Sequence, residues 1–548
     1  MYGINKTLEV HATTIKPLVT CFLIITSIQA AFSQDISNAP AQDSAPEFLS
    51  FNELKDLAKV AEPKGALAEK LNVVLTTPFV KNDASAVKFP PHHPTVRDLG
   101  AVLRAASWNI ERGLNFDLIE SALANPEQFQ RETESENRQS SNTAAIQTQL
   151  HALQESDVLL LNEVDLGMKR TGYRDVSRDL AAALHMSYAF GVEFVEVDPL
   201  FDLGTEKVDL RDKDQEQRLE EDLKVDSERY RGLHGNAILS RYPIQGARIV
   251  RLPVCYDWYG KETKAISQLE QGKRWSARKL FRERIEREVR RGGRMALIVD
   301  LAVPALPTGR LTVVSVHLEN KCTPGCRQRQ MKALLGVLQA INNPVILAGD
   351  LNTSGRDATP TSVRNEIMKR VTDYRFWVTQ AVFWFSPVSI PQYAIVPLSY
   401  FHQYLDPTAF HFPFVWENRE RGLFQSVEKF RFSDGYAFDF RGRTERTLNN
   451  RGRTLANSNQ RGRKGFVPTY AFERNFGGWV GNFKLDWFFI KPFIQNPRAP
   501  GQSYRFAPHF PITMNELNQS VDDRISDHPP ITVDLPLTEP LPLKSTSR

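Results

Sequence analysis

Cysteine is scarce in this chain, which has four in 548 residues. So few cysteines exclude a small disulfide-rich scaffold, and no Cys/His cluster has the spacing of a structural zinc site. The formal net charge is only +5, from 69 basic and 64 acidic residues. A protein that coats nucleic acid through bulk charge is therefore excluded as well, and any anionic substrate must be held locally.

Two common catalytic motifs are also absent. The sequence has no Gly-x-Ser-x-Gly motif, which would present a nucleophilic serine, and no Walker-type Gly-Lys-Thr phosphate loop. For a hydrolase with this sequence, direct attack by water is therefore the economical mechanism.

Long apolar runs are absent except near the N-terminus. There, two lysines precede an apolar run over residues 18–28, and Ala31 and Ser33 are small residues of the kind that signal peptidase recognises. This pattern predicts a signal peptide over residues 1–33 and a secreted or periplasmic protein. An N-terminal membrane anchor is the alternative, although the run is shorter than the ~20 apolar residues of a spanning helix.

Three cysteines remain after the predicted cleavage, at positions 255, 322 and 326. In an oxidising compartment Cys322 and Cys326, which are separated by Thr-Pro-Gly, could close a small disulfide loop. Three free thiols are an equally good interpretation of the same spacing.

The rest of the chain divides into a polar part and a part rich in short strands. Residues 34–98 are interpreted as a polar extension and linker, because they begin Pro/Ala-rich and end in a Pro/His cluster. From residue 99 to about 540, helical patterns lie between apolar runs, which indicates sheets covered by helices. The predicted strands are Val102–Ile110, Val158–Asn162, Ala237–Ser240, Met295–Val299, Leu311–Leu318, Val345–Ala348, Leu485–Ile490 and Ile531–Val533.

Three longer stretches interrupt this pattern and are predicted to be insertions, at about 198–231, 260–294 and 373–482. The third is crowded with Tyr, Phe and Trp over residues 374–416 and then carries three Arg-Gly-Arg triplets, the first beginning at Arg441. An insertion of this length should have helices or strands of its own, because long structureless loops are uncommon in compact domains.

Polar residues end the predicted strands where a purely structural sheet would need none. Carboxylates and amides are hard oxygen ligands suited to Mg²⁺, Mn²⁺ or Ca²⁺ rather than zinc, and histidines beside acidic residues supply protons for hydrolysis. Any single member could be a cap or turn residue, but the set together indicates a metal-dependent hydrolase. Its members are Asn109, Glu163, His317, Asn320, Asp350, Asn352, Asp486, Asp527 and His528.

In their order along the chain, these motifs resemble the endonuclease/exonuclease/phosphatase superfamily, the DNase I-like metal-dependent phosphoesterases. The resemblance extends from about residue 102 to 535, and it rests on Trp108-Asn109, the strand-final Glu163, Gly-Asp-Leu-Asn at 349–352 and Ser-Asp-His at 526–528. It implies an α+β fold, a four-layer α/β/β/α sandwich with two mixed β-sheets packed face to face and helices outside, enlarged by insertions.

The resemblance also implies a role for each residue of the set. Glu163 would be the principal metal ligand, with Asn109 beside it and Asp527 as a second carboxylate. The metal would be Mg²⁺, with Mn²⁺ or Ca²⁺ as alternatives. Asp350 would orient or deprotonate the attacking water, and Asn352 would donate to the phosphoryl oxygens.

The remaining roles concern the histidines and two further amides. Asp486 would pair with His528 and favour its imidazolium form, so that His528 holds or protonates the phosphate. His317 would lie near the scissile phosphate, with Asn320 as a phosphate-contacting amide. Asn236 also matches a family motif and is a second candidate for phosphate binding, although a structural role is the favoured interpretation.

The shared catalytic residues do not select a substrate, because this family includes nucleases, inositol-polyphosphate phosphatases and sphingomyelinases. The arginine triplets could bind a nucleic acid backbone, which favours an endonuclease/exonuclease-type phosphodiesterase. Alternatively, residues 374–416 could contact a membrane surface and present a phospholipid headgroup, as in a sphingomyelinase-like enzyme. Both features could also be ordinary parts of an added subdomain. A non-catalytic binding protein on the same fold is a further hypothesis, and no protein partner is predicted.

Overall fold

The computed structural model describes the central part of the chain and parts of the predicted insertions. The described residues are 42–83, 88–97, 99–135, 142–198, 225–264, 288–353, 419–439, 458–462, 465–471, 482–494, 504–521 and 524–538. The predicted signal peptide, the aromatic segment 374–416 and the first two Arg-Gly-Arg triplets lie outside these residues, as do most of the first and second insertions.

A large mixed β-sheet forms one half of the centre. From one edge to the other its strands are β1 (Phe79–Lys81), β5 (Ser187–Glu196), β6 (Leu233–Ser240), β4 (Val158–Leu166), β3 (Gly100–Arg112), β20 (Ile531–Pro536) and β19 (His509–Thr513), with β2 (Thr95–Val96) beside β3 and β8 (Arg290–Gly292) beside β5. The central strands β3 and β4 run parallel, and the other pairs are antiparallel.

A smaller mixed sheet forms the other half. Its order is β16 (Asp486–Lys491), β11 (Val345–Asp350), β10 (Arg310–Val316), β9 (Met295–Ala302) and β7 (Ile244–Arg251). Strands β10 and β11 are parallel, and the other pairs are antiparallel. Three short antiparallel pairs complete the described strands: β12 (Arg461–Gly462) with β13 (Gly465–Phe466), β14 (Tyr470–Ala471) with β15 (Asn482–Phe483), and β17 (Phe493–Ile494) with β18 (Tyr504–Arg505).

The described helices lie outside the sheets. They are α1 (Phe51–Lys59), α2 (Gly65–Thr76), α3 (Phe116–Ala124), α4 (Pro126–Ser135), α5 (Thr143–Gln154), α6 (Val176–Leu184), α7 (Trp258–Glu262), α8 (Pro324–Leu338), α9 (Arg421–Lys429) and α10 (Asn515–Asn518). None of these described helices is both long and apolar enough to cross a membrane.

Three buried apolar clusters separate four layers of structure. The middle cluster joins the two sheets, with Val158 and Ile238 from the larger sheet facing Val299 and Val313 from the smaller. A second cluster lies between the larger sheet and helices α1 to α6 and α10, and a third lies between the smaller sheet and helices α8 and α9. The predicted α+β fold, a four-layer α/β/β/α sandwich of two mixed sheets, is therefore confirmed.

The described part of residues 34–98 is more than a linker. Strand β1 pairs with β5 and so forms one edge of the larger sheet. Leu54 and Val74, on helices α1 and α2, are fully buried in the cluster under that sheet. This segment contributes strand pairing and apolar burial to the domain, and its polar residues lie on the outer faces of amphipathic helices.

The disulfide differs from both sequence-based interpretations. Cys255 pairs with Cys326, with their Cα atoms 5.9 Å apart, and Cys322 is the free thiol. The expected Cys322–Cys326 loop is thus wrong, and so is the interpretation of three free thiols. The bonded pair is 71 residues apart in sequence, so only the fold brings its two halves together.

Candidate active site

Irregularities in strands β3 and β4 determine the orientation of the acidic residues of the site. The register of β3 against β4 shifts between Asn109 and Arg112, and that of β4 against β6 shifts between Leu161 and Val164. Within the shifted stretches Glu111 and Glu163 have positive φ angles, of 47° and 52°. Left-handed backbone is unfavourable for such residues, and its concentration at strand irregularities is typical of functional sites.

Asn162 joins the two sheets beneath these carboxylates. Its Oδ1 accepts from the backbone N–H of Asp350 at 2.9 Å, and its Nδ2 donates to Asn236 Oδ1 at 2.9 Å. Gly349 makes room for this contact, because a Cβ atom there would lie 2.0 Å from the Val316 carbonyl oxygen and 2.8 Å from Asn162 Oδ1. The sequence analysis did not single out Asn162, whose only signal is an amide inside an apolar strand.

Asn236 lies below the site and is fully buried. Its Oδ1 accepts from Asn162, and its Nδ2 donates to Glu193 Oε1 at 3.2 Å. Both ends of the amide are therefore engaged with protein groups. This placement supports the structural interpretation of Asn236 over a phosphate contact.

Asp486 and His528 form a buried pair. Asp486 Oδ2 lies 2.7 Å from His528 Nδ1, and the His528 backbone carbonyl accepts from Trp108 Nε1 at 2.8 Å. Burial opposes the charged form of the imidazole, but Asp486 and Asp527 outweigh burial and raise the pKa of His528 to about 10. The histidine is therefore an imidazolium at neutral pH, with its Nε2–H directed away from Asp486.

Asp350 lies between the two histidines of the site. Its Oδ2 is 3.8 Å from His528 Nε2, 3.6 Å from His317 Nε2 and 3.3 Å from the Asn109 amide nitrogen that donates to it. Its Oδ1 accepts from the backbone N–H of Asn352 at 2.8 Å. Burial is the main reason that the pKa of Asp350 is raised, to about 7. A carboxyl group with that pKa can accept a proton and release it near neutral pH.

Asn352 is held in a left-handed conformation, with a φ of 50°. Its side-chain nitrogen donates to the Leu318 carbonyl at 2.9 Å, so one of its two amide protons is already used. Asn352 lies two residues after the end of β11, and its contact with Asp350 is through its backbone N–H.

His317 is fixed in its neutral form by an arginine. Arg294 Nη1 lies 2.7 Å from His317 Nδ1, and because a guanidinium can only donate, Nδ1 accepts and the ring proton is on Nε2. Burial and Arg294 together lower the pKa of His317 well below its usual value. Glu193 balances the arginine at 2.8 Å. His317 therefore presents a neutral N–H donor toward Asp350 and toward Glu163 Oε1, 4.0 Å away.

Three carboxylates form the acidic side of the site: Glu163, Asp527 and Glu111. The Glu163 side chain is 26% exposed. Burial favours its protonated form, but interactions with His234, Arg112 and Arg294 outweigh burial and keep the pKa of Glu163 below its usual value. The Asp527 backbone N–H donates to Glu111 Oε2 at 3.1 Å. Burial and then Asp527 raise the pKa of Glu111 to about 7.

Glu111 is a candidate residue that the sequence analysis missed. Its only signal was its spacing, two residues after Asn109 at the end of a strand. Asn109 Oδ1 accepts from the Glu111 backbone N–H at 3.1 Å, which ties the two residues together.

The acidic side has the chemistry of a divalent cation site. Its donors are carboxylate and amide oxygens, the ligand types that Mg²⁺ and Ca²⁺ prefer, and Asp527 adds to burial in raising the pKa of Glu111. Across the site, carboxylate oxygens of Asp350 and Asp486 lie within 4.8 Å of each other, and Asp486 Oδ1 is buried without a hydrogen-bond partner among the described residues. The residues present therefore fit a bound divalent metal.

Asn320 lies apart from this arrangement. It is half-buried, and its Oδ1 atom has no hydrogen-bond partner. Among the described residues, its side chain makes no hydrogen bond to the other predicted site residues. The structure therefore does not bring Asn320 together with the rest of the predicted site.

The third insertion contributes directly to the site. Thr469 Oγ1 accepts from the backbone N–H groups of Leu485, at 3.0 Å, and Asp486, at 2.9 Å. The neighbouring Tyr470 packs its ring on that of His528, with 4.9 Å between centroids. Residues 469–471 therefore hold both members of the Asp486–His528 pair, a role that composition alone did not indicate.

An acidic cluster with the ligand types of a divalent metal site, an Asp/His pair and a further histidine in its neutral form, all on a four-layer sandwich, are the features of a metal-dependent phosphoesterase. The chain belongs to the endonuclease/exonuclease/phosphatase family, whose model matches residues 106–528. It is accordingly a phosphoric ester hydrolase, of a family that depends on divalent metals.

Several solved structures are similar to this chain. One is an endonuclease/exonuclease/phosphatase from Beutenbergia cavernae, with 17% identity, covering 79% of this chain and 71% of that one, with a TM-score of 0.35. A second is the 3′ phosphatase NExo from Neisseria bound to a product DNA hairpin, with 11% identity, coverage of 79% and 99%, and a TM-score of 0.34. A third is the human Nocturnin catalytic domain, with 13% identity, coverage of 81% and 98%, and a TM-score of 0.33. No curated protein matches the chain.

Proposed function

We propose that this protein is a divalent-metal-dependent phosphodiesterase of the endonuclease/exonuclease type, which hydrolyses its substrate by direct attack of water. The observation that carries the proposal is the position of Asp350, whose Oδ2 lies 3.6 Å and 3.8 Å from the Nε2 atoms of His317 and His528. In this arrangement the carboxylate can accept a proton from an attacking water molecule, while the two N–H groups donate to the oxygens of a phosphoryl group.

The two histidines bind the phosphate in different ways. His528 is an imidazolium, so its Nε2–H makes a charge-assisted hydrogen bond to a phosphoryl oxygen. His317 contributes a neutral Nε2–H donor, because Arg294 occupies its other nitrogen. Both side chains are almost fully buried and need no reorganisation as charge develops on the equatorial oxygens.

Asp350 is the group that orients the water and accepts its proton. With a pKa of about 7, a large fraction of the carboxyl group is ionised at neutral pH. Its Oδ1 is held by the Asn352 backbone, while Oδ2 faces the histidines. The carboxylate is therefore presented in one orientation, which fixes the direction of attack.

Glu163, Glu111, Asp527 and Asn109 would hold the divalent metal, with Mg²⁺ as the first choice for an all-oxygen set and Mn²⁺ or Ca²⁺ as alternatives. When bound, the metal supplies Lewis acidity that neutralises charge on the phosphoryl group and on the departing alkoxide. Asp486 acts through His528, since its carboxylate keeps that ring charged and correctly oriented.

The substrate and the location are the finer parts of the proposal. We favour a nucleic acid substrate and an exported protein, as the Arg-Gly-Arg triplets and the N-terminal apolar run suggest. A phospholipid headgroup is the second candidate, with residues 374–416 as the membrane contact. The complete set of site residues argues against a non-catalytic binding protein.

A substrate panel tests this proposal. Purified protein is assayed with Mg²⁺ or Mn²⁺ on bis-p-nitrophenyl phosphate, plasmid DNA, single-stranded DNA, RNA and sphingomyelin vesicles, with Asp350→Asn as the inactive control. We expect cleavage of the model diester and of at least one nucleic acid. Cleavage of sphingomyelin alone would favour the lipid alternative, and no cleavage of any of them would overturn the enzyme assignment to phosphodiesters.

A further inference from the structure

Arg524 differs from other arginines around the site because no described carboxylate forms an ion pair with it. Arg112 pairs with Glu288 at 2.9 Å, Arg170 with Asp165 at 2.6 Å, and Arg294 with Glu193 at 2.8 Å. Within the described residues, Arg524 has no ion pair, and its side chain makes one hydrogen bond, to a backbone carbonyl. Its positive charge is therefore not neutralised by a carboxylate partner there.

Arg524 is nevertheless held firmly in place. Its backbone has a φ of 56°, an unfavourable conformation that needs support from its surroundings. That support comes from Asn115, whose Nδ2 donates to the carbonyls of Arg524, at 3.4 Å, and Ile525, at 3.0 Å. At the other end, Arg524 Nη1 donates to the Ala471 carbonyl at 2.6 Å.

These contacts leave most of the N–H groups of the Arg524 guanidinium unused among the described residues. An arginine carries five N–H groups, and a single one is engaged with the described protein groups. Arg524 is half-buried, so the charge has lost part of its hydration without forming a direct ion pair among the described residues. A half-buried and pre-positioned guanidinium of this kind is well suited to a planar, two-oxygen contact with a phosphate.

The location of Arg524 is the rim of the active site. It shortly precedes Ser526, whose Oγ donates to the Asn109 carbonyl at 2.7 Å, and then Asp527 and His528. Its contact residue, Ala471, follows Tyr470, the ring of which packs on His528.

The effect of Arg524 on the pKa of Glu111 also indicates that Arg524 lies at the rim of the active site. The pKa of Glu111 is raised mainly by burial and by Asp527, and Arg524 is the first charge that acts in the opposite direction. The guanidinium is thus close enough to the acidic side for its charge to be felt there.

Resting on the proposed phosphodiesterase function, we infer that Arg524 binds a second phosphate group of the substrate, next to the one that is cleaved. Arg524 is then a specificity-determining residue, which favours substrates with more than one phosphate over single diesters. Nucleic acids satisfy this requirement at every internal linkage, whereas the sphingomyelin headgroup has one phosphate.

The test compares matched substrates on the full chain. The variant Arg524→Gln, the conservative variant Arg524→Lys and the control Arg131→Gln, at an exposed helix position, are assayed with Mg²⁺. The substrates are thymidylyl-thymidine with and without an added terminal phosphate, and bis-p-nitrophenyl phosphate. For Arg524→Gln we expect KM to rise about tenfold or more on the phosphorylated dinucleotide, with kcat within about twofold. On the two single diesters both constants should stay within about twofold of wild type.

The outcomes separate this inference from its alternatives. An equal loss on all three substrates would mean that Arg524 only supports the loop, and no loss on any would mean that it contacts no phosphate; either result overturns the inference. Partial recovery by Arg524→Lys supports it. Matched inositol mono- and bisphosphates distinguish the source of the second phosphate, since a bisphosphate preference without a dinucleotide preference points to inositol phosphates.

Failure of the proposed function is recognisable by itself. If wild-type protein cleaves none of these substrates, the phosphodiesterase proposal fails. The affinities of the two dinucleotides, measured by calorimetry without turnover, then still decide the role of Arg524. A preference for the phosphorylated dinucleotide that disappears in Arg524→Gln retains the second-phosphate site, and equal affinities of wild type for both overturn it.

Discussion

The Nδ1 atom of His528 lies 2.7 Å from Asp486 Oδ2, and this contact sets the charge of the histidine. Asp486 is on β16 of the smaller sheet, and His528 directly precedes the β20 region of the larger sheet. The pair therefore links the two sheets through one hydrogen bond, and together with Asp527 this contact favours the charged histidine.

Replacement of Asp486 should remove that charge. In the wild type, Asp486 and Asp527 keep the pKa of His528 at about 10 despite burial, so the imidazolium form persists through neutral pH and is lost only as the pH rises toward that value. Asp486→Asn lowers this pKa, and the charged form is lost at lower pH. We expect kcat at pH 8 to fall by a factor on the order of 10², with the alkaline limb of the pH–rate profile shifted to lower pH.

The control for this prediction is Asp179→Asn, which removes a half-buried carboxylate on α6 that pairs with Arg178 and not with the histidines of the site. It should leave both kcat and the profile unchanged. An Asp486→Asn profile that coincides with wild type would show that the carboxylate does not control His528.

Substitutions on the two sides of the site should have different effects, with metal affinity lost on the acidic side and turnover lost on the histidine side. Glu163→Gln removes a carboxylate from the acidic side and should weaken Mg²⁺ or Mn²⁺ binding by about tenfold or more, since even residues that only support metal ligands have effects of that size. His528→Ala should bind metal nearly as wild type does, yet lose turnover by a factor on the order of 10² or more. Calorimetric titration with the metal measures the first effect and steady-state kinetics the second. Equal metal affinities for wild type and Glu163→Gln would show that the metal is held elsewhere.

The disulfide should contribute measurably to stability. Cys255 and Cys326 close a loop with a sequence separation of 71, and removal of such a cross-link typically costs about 2–4 kcal/mol. Cys255→Ser should therefore lower the melting temperature in the absence of reductant, whereas Cys322→Ser should leave it almost unchanged. Peptide mapping under non-reducing conditions identifies the bond directly. A bond between Cys322 and Cys326 in that map would contradict the structure.

Lys484 should make stability depend on pH. Burial lowers the pKa of this lysine from 10.5 to about 7, with Asp486 opposing the shift, so the unfolded chain binds the proton more tightly. Stability then rises as the pH increases from about 7 to 10.5, because over that interval the unfolded state carries the extra proton. Lys484→Met removes this cost and should raise the free energy of unfolding at pH 7 by about 1–3 kcal/mol.

The measurement is a set of urea titrations at pH 7 and pH 9.5. The gain of Lys484→Met over wild type should shrink at the higher pH. A gain that is the same at both values would mean that the lysine is not held in its neutral form by burial.

The fold was predictable because its pattern is local. Apolar runs such as Val158–Asn162 and Val345–Ala348 mark strands by themselves, and helices between them indicate the layers. Residues 44–81 were harder to interpret, because the three-residue strand β1 has no periodicity to reveal it. The pairing of β1 with β5 is a tertiary contact, which a short stretch of sequence does not predict.

The candidate site was predictable where a polar residue lies at or near one end of a strand within a motif. Asp350 ends β11, Asp486 begins β16 and His528 precedes β20, and the three come together in the structure. Asn162 and Thr469 did not, because their importance lies in hydrogen bonds to the backbone of other segments. Glu111 depends on an irregularity in β3, and the place where a strand departs from its register is not visible in its residues.

The position of β20 has a consequence for the timing of activity. This strand follows His528 directly and lies between β3 and β19, so the last part of the sheet to be synthesised is inserted beside one of the first. A nascent chain that has not yet reached residue 527 lacks both Asp527 of the acidic side and His528, and it leaves the edge of β3 open. The proposed hydrolysis therefore requires that synthesis has passed residue 528, so the order of the chain delays activity until the strand between β3 and β19 can form.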